Sequence, residues 1–333
     1  MKRLAVQLLL LSSLALATQA CAHTQEQLTG FKAFAVEMER KHGFTADEVE
    51  GLLSATQFRD DIIAAITRPA ESKAWHEYRP IFLKLERIQG GVEFWQKNEP
   101  LLDAVSRQYG VPQEIIVAII GVETAYGRHT GRYRVVDSLT TLAFGYPKRA
   151  EFFRRELEAF LLLSREEQVD PVSAMGSYAG AMGKPQFISS SYRQYAVDHD
   201  GDGRRDLWNS DADIIASVAN YFKIHGWKSG QPVTLRIEGG AGLQRFVEAG
   251  MKPSIKVEKM LASGVRPVGN ASPDPQALAS LVKLDAGTQH EYWLGLQNFY
   301  VITRYNHSNL YAMAAYQLSQ EIRSAKQAAE AAR

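Results

Sequence analysis

The stretch Ile115-Ile116-Val117-Ala118-Ile119-Ile120-Gly121-Val122-Glu123-Thr124-Ala125-Tyr126-Gly127 decides how the chain is read. Its first six residues are apolar without a break, and Pro112 stands where a first helical turn accepts it. A helix that is apolar on every side belongs in the centre of a domain. A glutamate then follows directly. Burying a carboxylate is costly unless it is paired or protonated, so desolvation should favour the neutral acid and raise its pKa. A general acid for glycosidic cleavage needs that property near neutral pH. The competing reading is that Glu123 is the first exposed residue at a helix end.

Outward from this helix, residues 23–110 read as a helical region. Thr45 and Glu48 look like a capping box. Residues 57–67 carry apolar positions at helical spacing and stop before Pro69, and Ser72 can cap the next helix, which holds Trp75, Tyr78 and Phe82. The pattern changes near Gly230. Residues 232–237 alternate like a strand, and 278–284 and 292–296 also read as short strands around a polar loop at 267–275. Helix returns at 309–333. The expected fold is therefore mainly α (α+β), with a helical core at 111–229, a small β-containing subdomain at 230–296 and a C-terminal return at 297–333.

The chain has 333 residues, enough for one large or two modest domains. Its net charge of +1 argues against a broad grip on nucleic acid. Lys2 and Arg3, the apolar run 4–17 and the small residues Ala20-Cys21-Ala22 have the order of a secretory signal peptide over residues 1–22. Cys21 is the only cysteine, so no internal disulfide forms. Two fates for it stay open: lipid acylation at a new N-terminus, or removal with the leader. The expected location is the periplasm, with outer-membrane anchoring if Cys21 is acylated.

A second segment, Gly176-Ser177-Tyr178-Ala179-Gly180-Ala181-Met182-Gly183-Lys184-Pro185-Gln186-Phe187, lets a backbone approach a ligand closely, and Ser177 and Gln186 offer neutral partners for sugar hydroxyls. The alternative is a Gly-rich turn before the helix near Ser190. A third, Asp198-His199-Asp200-Gly201-Asp202-Gly203, opens like an EF-hand loop: carboxylates at positions one, three and five, glycine at six, and Asp206 at nine. Position twelve is Asn209 rather than glutamate. A turn rich in aspartate with no metal is the other reading.

Together, "GVETAYG", "YPKRAEFF" and "GSYAGAMGKPQF", with "SVANYFKIHGW" and "NFYVITRYNHS" further on, resemble the lytic murein transglycosylase B family from about Phe31 to about Leu318. The resemblance implies a lysozyme-like core and cleavage of peptidoglycan glycan strands with 1,6-anhydromuramic acid ends. It places Glu123 on the catalytic acid/base and Ser177 and Gln186 beside it. Tyr78, Tyr221, Tyr305 and Tyr311 fall on the saccharide groove, and Lys148 and Arg149 on a basic pair that meets the muropeptide. It implies a structural Ca²⁺ held by Asp198, Asp200, Asp202, the Arg204 carbonyl and a closing Asp213, with Asp211 as substitute, and no organic cofactor. Lys184-Pro185 and Ile188-Ser189 depart from the usual motif. No second carboxylate suits a two-carboxylate glycosidase: Asp137 reads as a helix cap and Asp170 as a turn. A lysozyme-type hydrolase and a non-catalytic peptidoglycan-binding protein are the alternatives.

Overall fold

The computed structural model describes residues 23–68, 73–239, 243–269 and 272–332. The leader, Cys21 and Ser72 lie outside them. Contacts divide the chain into two units at Phe58/Arg59. In the first, helix Gln25–His42 opens with a capping box at Thr24 and Gln27 and ends on Gly43 in the left-handed region. Helix Ala46–Ser54 packs against it, and Thr45 caps it by accepting the Glu48 N–H at 3.2 Å. Phe31, Phe34 and Met38 bury their side chains here, with Val49 and Leu53.

The second unit is built around helix Gln113–Thr124. Ile116 to Ile120 are fully buried. Each fully buried isoleucine or valine contributes roughly 1.5–3 kcal/mol relative to exposure, so this helix is a main source of core stability. Helices Leu85–Lys97, Glu99–Tyr109, Asp211–Ile224 and Asn309–Ala331 surround it. Pro112 is its N-cap, one position earlier than a first helical turn. The helix expected over 57–67 begins only at Asp60, because Arg59 is extended (φ −128°) and supplies no capping side chain. Helix Trp75–Phe82 starts from Ala74, whose N–H donates to Glu77 at 3.2 Å.

Asp137 is not a cap. It lies inside the first turn of helix Val135–Gly145 and is buried, with Arg134 donating to both carboxylate oxygens at 2.7 and 3.0 Å. An acid in a first turn answers the unpaired N–H groups and positive pole there, and the arginine compensates its burial.

Five antiparallel strands form a sheet in the order Ile255–Lys256, Leu278–Asp285, His290–Gly295, Thr234–Glu238, Arg266–Pro267. Their inner face packs Ile237, Leu281 and Leu294 on Val257 and Met260 of a short helix. Strands Thr234–Glu238, Leu278–Asp285 and His290–Gly295 overlap the segments read as strands, whereas Ile255–Lys256 and Arg266–Pro267 were not foreseen, and Pro267 lies in the stretch read as a polar loop. A second, two-stranded sheet pairs Tyr133–Arg134 with Met175–Gly176 and carries the start of the glycine-rich segment. Strands of two residues leave no period to detect.

Candidate active site

Glu123 occupies the last turn of the buried helix. The helix stops there because Ala125, Tyr126 and Gly127 all take positive φ (50°, 63° and 92°). The Ala125 N–H donates to Gly121 O at 3.0 Å and the Tyr126 N–H to Ile120 O at 3.3 Å, closing the orphan carbonyls. Non-glycine residues rarely adopt this conformation, and strain of this kind collects at functional sites. Glu123 itself is half-buried. Burial pushes its carboxyl from the ordinary 4.5 up to about 7, against the opposing pull of a hydrogen bond from the Tyr311 hydroxyl. That bond, to Glu123 Oε1, measures 2.5 Å. Burial and Tyr311 are the two influences on this group.

Tyr311 reaches Glu123 because Ser308 caps helix Asn309–Ala331, accepting the Tyr311 N–H at 3.3 Å, and the helix packs on the central one. The ring of Tyr305 lies parallel to that of Tyr311 at 6.5 Å, and its hydroxyl donates to Pro185 O at 2.6 Å. Tyr221 stands 4.8 Å from Tyr305 and donates to Arg304 O at 2.5 Å. Tyr78 stacks on Trp75 and faces Tyr311 closely enough to raise its pKa further. The four tyrosines are therefore joined around Glu123. Tyr221 and Tyr311 are 7% and 3% exposed, whereas Tyr78 and Tyr305 keep more accessible surface.

The glycine-rich segment forms the facing wall. The Ser177 hydroxyl accepts the N–H groups of Ala179 (3.2 Å) and Ala181 (3.0 Å), so it shapes its own loop. Gln186, at φ +53°, donates its side-chain amide to Thr130 O and Gly183 O at 3.1 and 3.0 Å. Its Oε1 remains as an acceptor for a sugar hydroxyl. The wall is fixed to the glutamate helix: Thr124 Oγ1 donates to Lys184 O at 2.9 Å. A Cβ on Gly131 would lie 2.0 Å from the Gly176 carbonyl, so only glycine permits the approach of these two segments. Lys148 and Arg149 stand exposed on the link Pro147–Arg149, with Arg149 over the Phe152 ring at 4.2 Å; no contact joins them to Glu123.

Asp198, Asp200 and Asp202 bring one carboxylate oxygen each within 4.8 Å of one another. Gly203 takes φ +90°, which the sharp turn requires. Exposed hard oxygens on so tight a turn suit a hard cation. Asp213 is fully buried and accepts the N–H groups of His199 (2.7 Å) and Asp206 (2.8 Å), tying the two ends of the loop. Asp211 is engaged elsewhere, by Lys184 at 2.6 Å and Lys97 at 2.8 Å. A separate cavity of about 370 Å³ lies between Met175, Tyr192 and Trp208 and does not include Glu123. A site for a polymer is an open groove, so enclosure is a poor guide to it.

Sequence reasoning missed Arg87 and the packing role of Tyr126. Arg87 donates to Gly121 O at 2.6 Å and Val122 O at 3.2 Å. Thirty-four positions separate it from Gly121 and nothing in its own surroundings marks it.

Residues 26–320 match the family model for the transglycosylase SLT domain. The membrane-bound lytic murein transglycosylase B of Escherichia coli (strain K12) is 45% identical over 307 residues, covering 88% of this chain and 82% of that protein. The crystal structure of the soluble lytic transglycosylase SltB1 from Pseudomonas aeruginosa is 49% identical with a TM-score of 0.85, over 90% of this chain and 99% of that one. The Escherichia coli lytic transglycosylase Slt35, solved in complex with calcium, is 44% identical with a TM-score of 0.81, over 90% and 93% of the two chains.

Proposed function

The chain belongs to the transglycosylase SLT domain family and is a lytic transglycosylase that cleaves peptidoglycan, and from that premise we propose that Glu123 alone gives and takes the proton in strand cleavage. Its fold is that of the lysozyme-like lytic transglycosylases. The observation that carries the proposal is a half-buried carboxyl held near pKa 7, with Tyr311 as its one hydrogen-bonding side chain.

In the proposed cycle the protonated Glu123 gives its proton to the oxygen linking N-acetylmuramic acid C1 to N-acetylglucosamine C4. The C1–O bond breaks and the N-acetylglucosamine hydroxyl leaves. The carboxylate then takes the proton of the muramyl C6 hydroxyl as O6 bonds to C1. Glu123 is restored, no water is consumed, and the product ends in 1,6-anhydromuramic acid. Tyr311 stabilises the carboxylate stage. Ser177 and Gln186 hold one wall, Tyr78 and Tyr305 the other over Tyr221, and Lys148 and Arg149 meet the acidic peptide stem. A water-activating hydrolase would call for a second carboxylate, and none influences Glu123 among the described residues. A scaffold without turnover would not need a carboxyl tuned to neutral pH.

Asp198, Asp200, Asp202, the Arg204 carbonyl and Asp213 would hold Ca²⁺, which supplies cross-linking of the loop and no chemistry. The mature chain resides in the periplasm. No helix among the described residues is long and apolar enough to cross a membrane. Acylation of Cys21, where it is retained, would attach the chain to the outer membrane. Mass analysis of digested sacculi tests the main reading: muropeptides one water lighter than lysozyme products are expected, and reducing ends would return the chain to the hydrolases.

A further inference from the structure

The carbonyls of Gly121 and Val122 belong to the two peptide groups that lead into Glu123. Both accept hydrogen bonds from Arg87 Nη1, at 2.6 and 3.2 Å. The Val122 carbonyl belongs to the last helical turn, where carbonyls lack helical partners, and the cation sits at the negative pole of the helix. Arg87 is drawn from helix Leu85–Lys97, which packs along the central helix. A return link runs the other way. Tyr126, three residues after Glu123, donates its hydroxyl to Arg87 O at 2.8 Å. Its side chain fills a slot floored by glycines: a Cβ on Gly121 or Gly91 would lie 2.5 or 2.6 Å from its hydroxyl, and one on Gly90 3.1 Å from its ring. Phe94 stacks on the other side at 5.7 Å. Glu123 is thus enclosed by a clasp, with one strap to the turn before it and one from the turn after it.

We propose that Arg87 is a positioning residue for the acid, fixing through the Gly121 and Val122 carbonyls the direction in which the Glu123 carboxyl points. The proposal rests on the reading of Glu123 as the acid/base. Arg87 Nη1 donates to two backbone carbonyls and not to the carboxyl itself, so its effect is on geometry. An error of ~1 Å in placing a catalytic group can cost ~100-fold in rate.

The experiment measures kcat and KM on soluble peptidoglycan strands for Arg87→Ala, Arg87→Lys, Tyr126→Phe and, alongside, Glu123→Gln. Arg87→Ala is expected to lower kcat about 10- to 100-fold with KM unchanged. Arg87→Lys, whose ammonium can reach a carbonyl, should recover part of that, and so should millimolar guanidinium added to Arg87→Ala. A folded Arg87→Ala with wild-type kcat overturns the proposal, as does a loss that neither lysine nor guanidinium relieves. If Arg87→Ala fails to fold, Arg87→Met, which keeps the stem and loses every donor, takes its place, and wild-type kcat in that variant overturns the proposal. Turnover by Glu123→Gln would instead remove the reading of the acid on which the clasp depends.

Discussion

Glu123→Gln separates the stability of this protein from its activity. Burial raises the Glu123 carboxyl from 4.5 to about 7 in the folded chain. A carboxyl raised in this way carries no penalty below pH ~4.5, where it is neutral in both states; the penalty builds as pH rises from there and is complete above about 7. Each pKa unit corresponds to about 1.4 kcal/mol, so keeping the ionised group in place at pH 8 costs up to about 3 kcal/mol. Glutamine keeps the shape and the acceptor for Tyr311 and has no charge to desolvate. The variant should therefore exceed the natural chain in stability by up to about 3 kcal/mol at pH 8, with the difference closing at pH 4. Urea unfolding at the two pH values, with slopes compared, is the assay. Activity moves the other way: one group does both proton transfers, so the loss should lie at or beyond ~10,000-fold. Equal midpoints at pH 8 would refute the desolvation argument, and retained turnover would refute the role.

Tyr311→Phe removes the hydrogen bond that favours the carboxylate, so the basic limb of kcat/KM should move up by about 1–2 pH units; a limb that stays or moves down contradicts the assignment. Calcium at 100 times its dissociation constant should stabilise the chain by ~2.7 kcal/mol, visible as a raised melting temperature that Asp198→Ala abolishes; midpoints indifferent to calcium and chelator would end the metal reading. Cell fractionation of the natural chain against Cys21→Ser tests anchoring: attachment requires the first in membranes and the second in the soluble fraction.

The central helix and Glu123 were legible because both signals are local. Six consecutive apolar residues can be satisfied only by burial, and the carboxylate that follows inherits their desolvation. The strand at 232–237 was legible through alternation, and the acidic loop through the spacing of its aspartates. Helix starts were less so, since Arg59 and Ala74 begin helices without the side chains that announce a cap. Asp137 misled for a related reason: whether an acid near a helix start caps it or enters it depends on a partner, here Arg134.

By itself the sequence determined the buried helix, the acid at its end, the aspartate loop and the helical class, since each follows from side chains within a few positions of one another. Only the tertiary structure decided that Tyr311, 188 positions away, meets the carboxyl, that Asp211 answers Lys184 and Lys97, that Tyr221 donates to the Arg304 carbonyl, and that Arg87 reaches the Gly121 and Val122 carbonyls. These depend on how helices cross, and packing brings together residues whose spacing along the chain carries no trace of the contact.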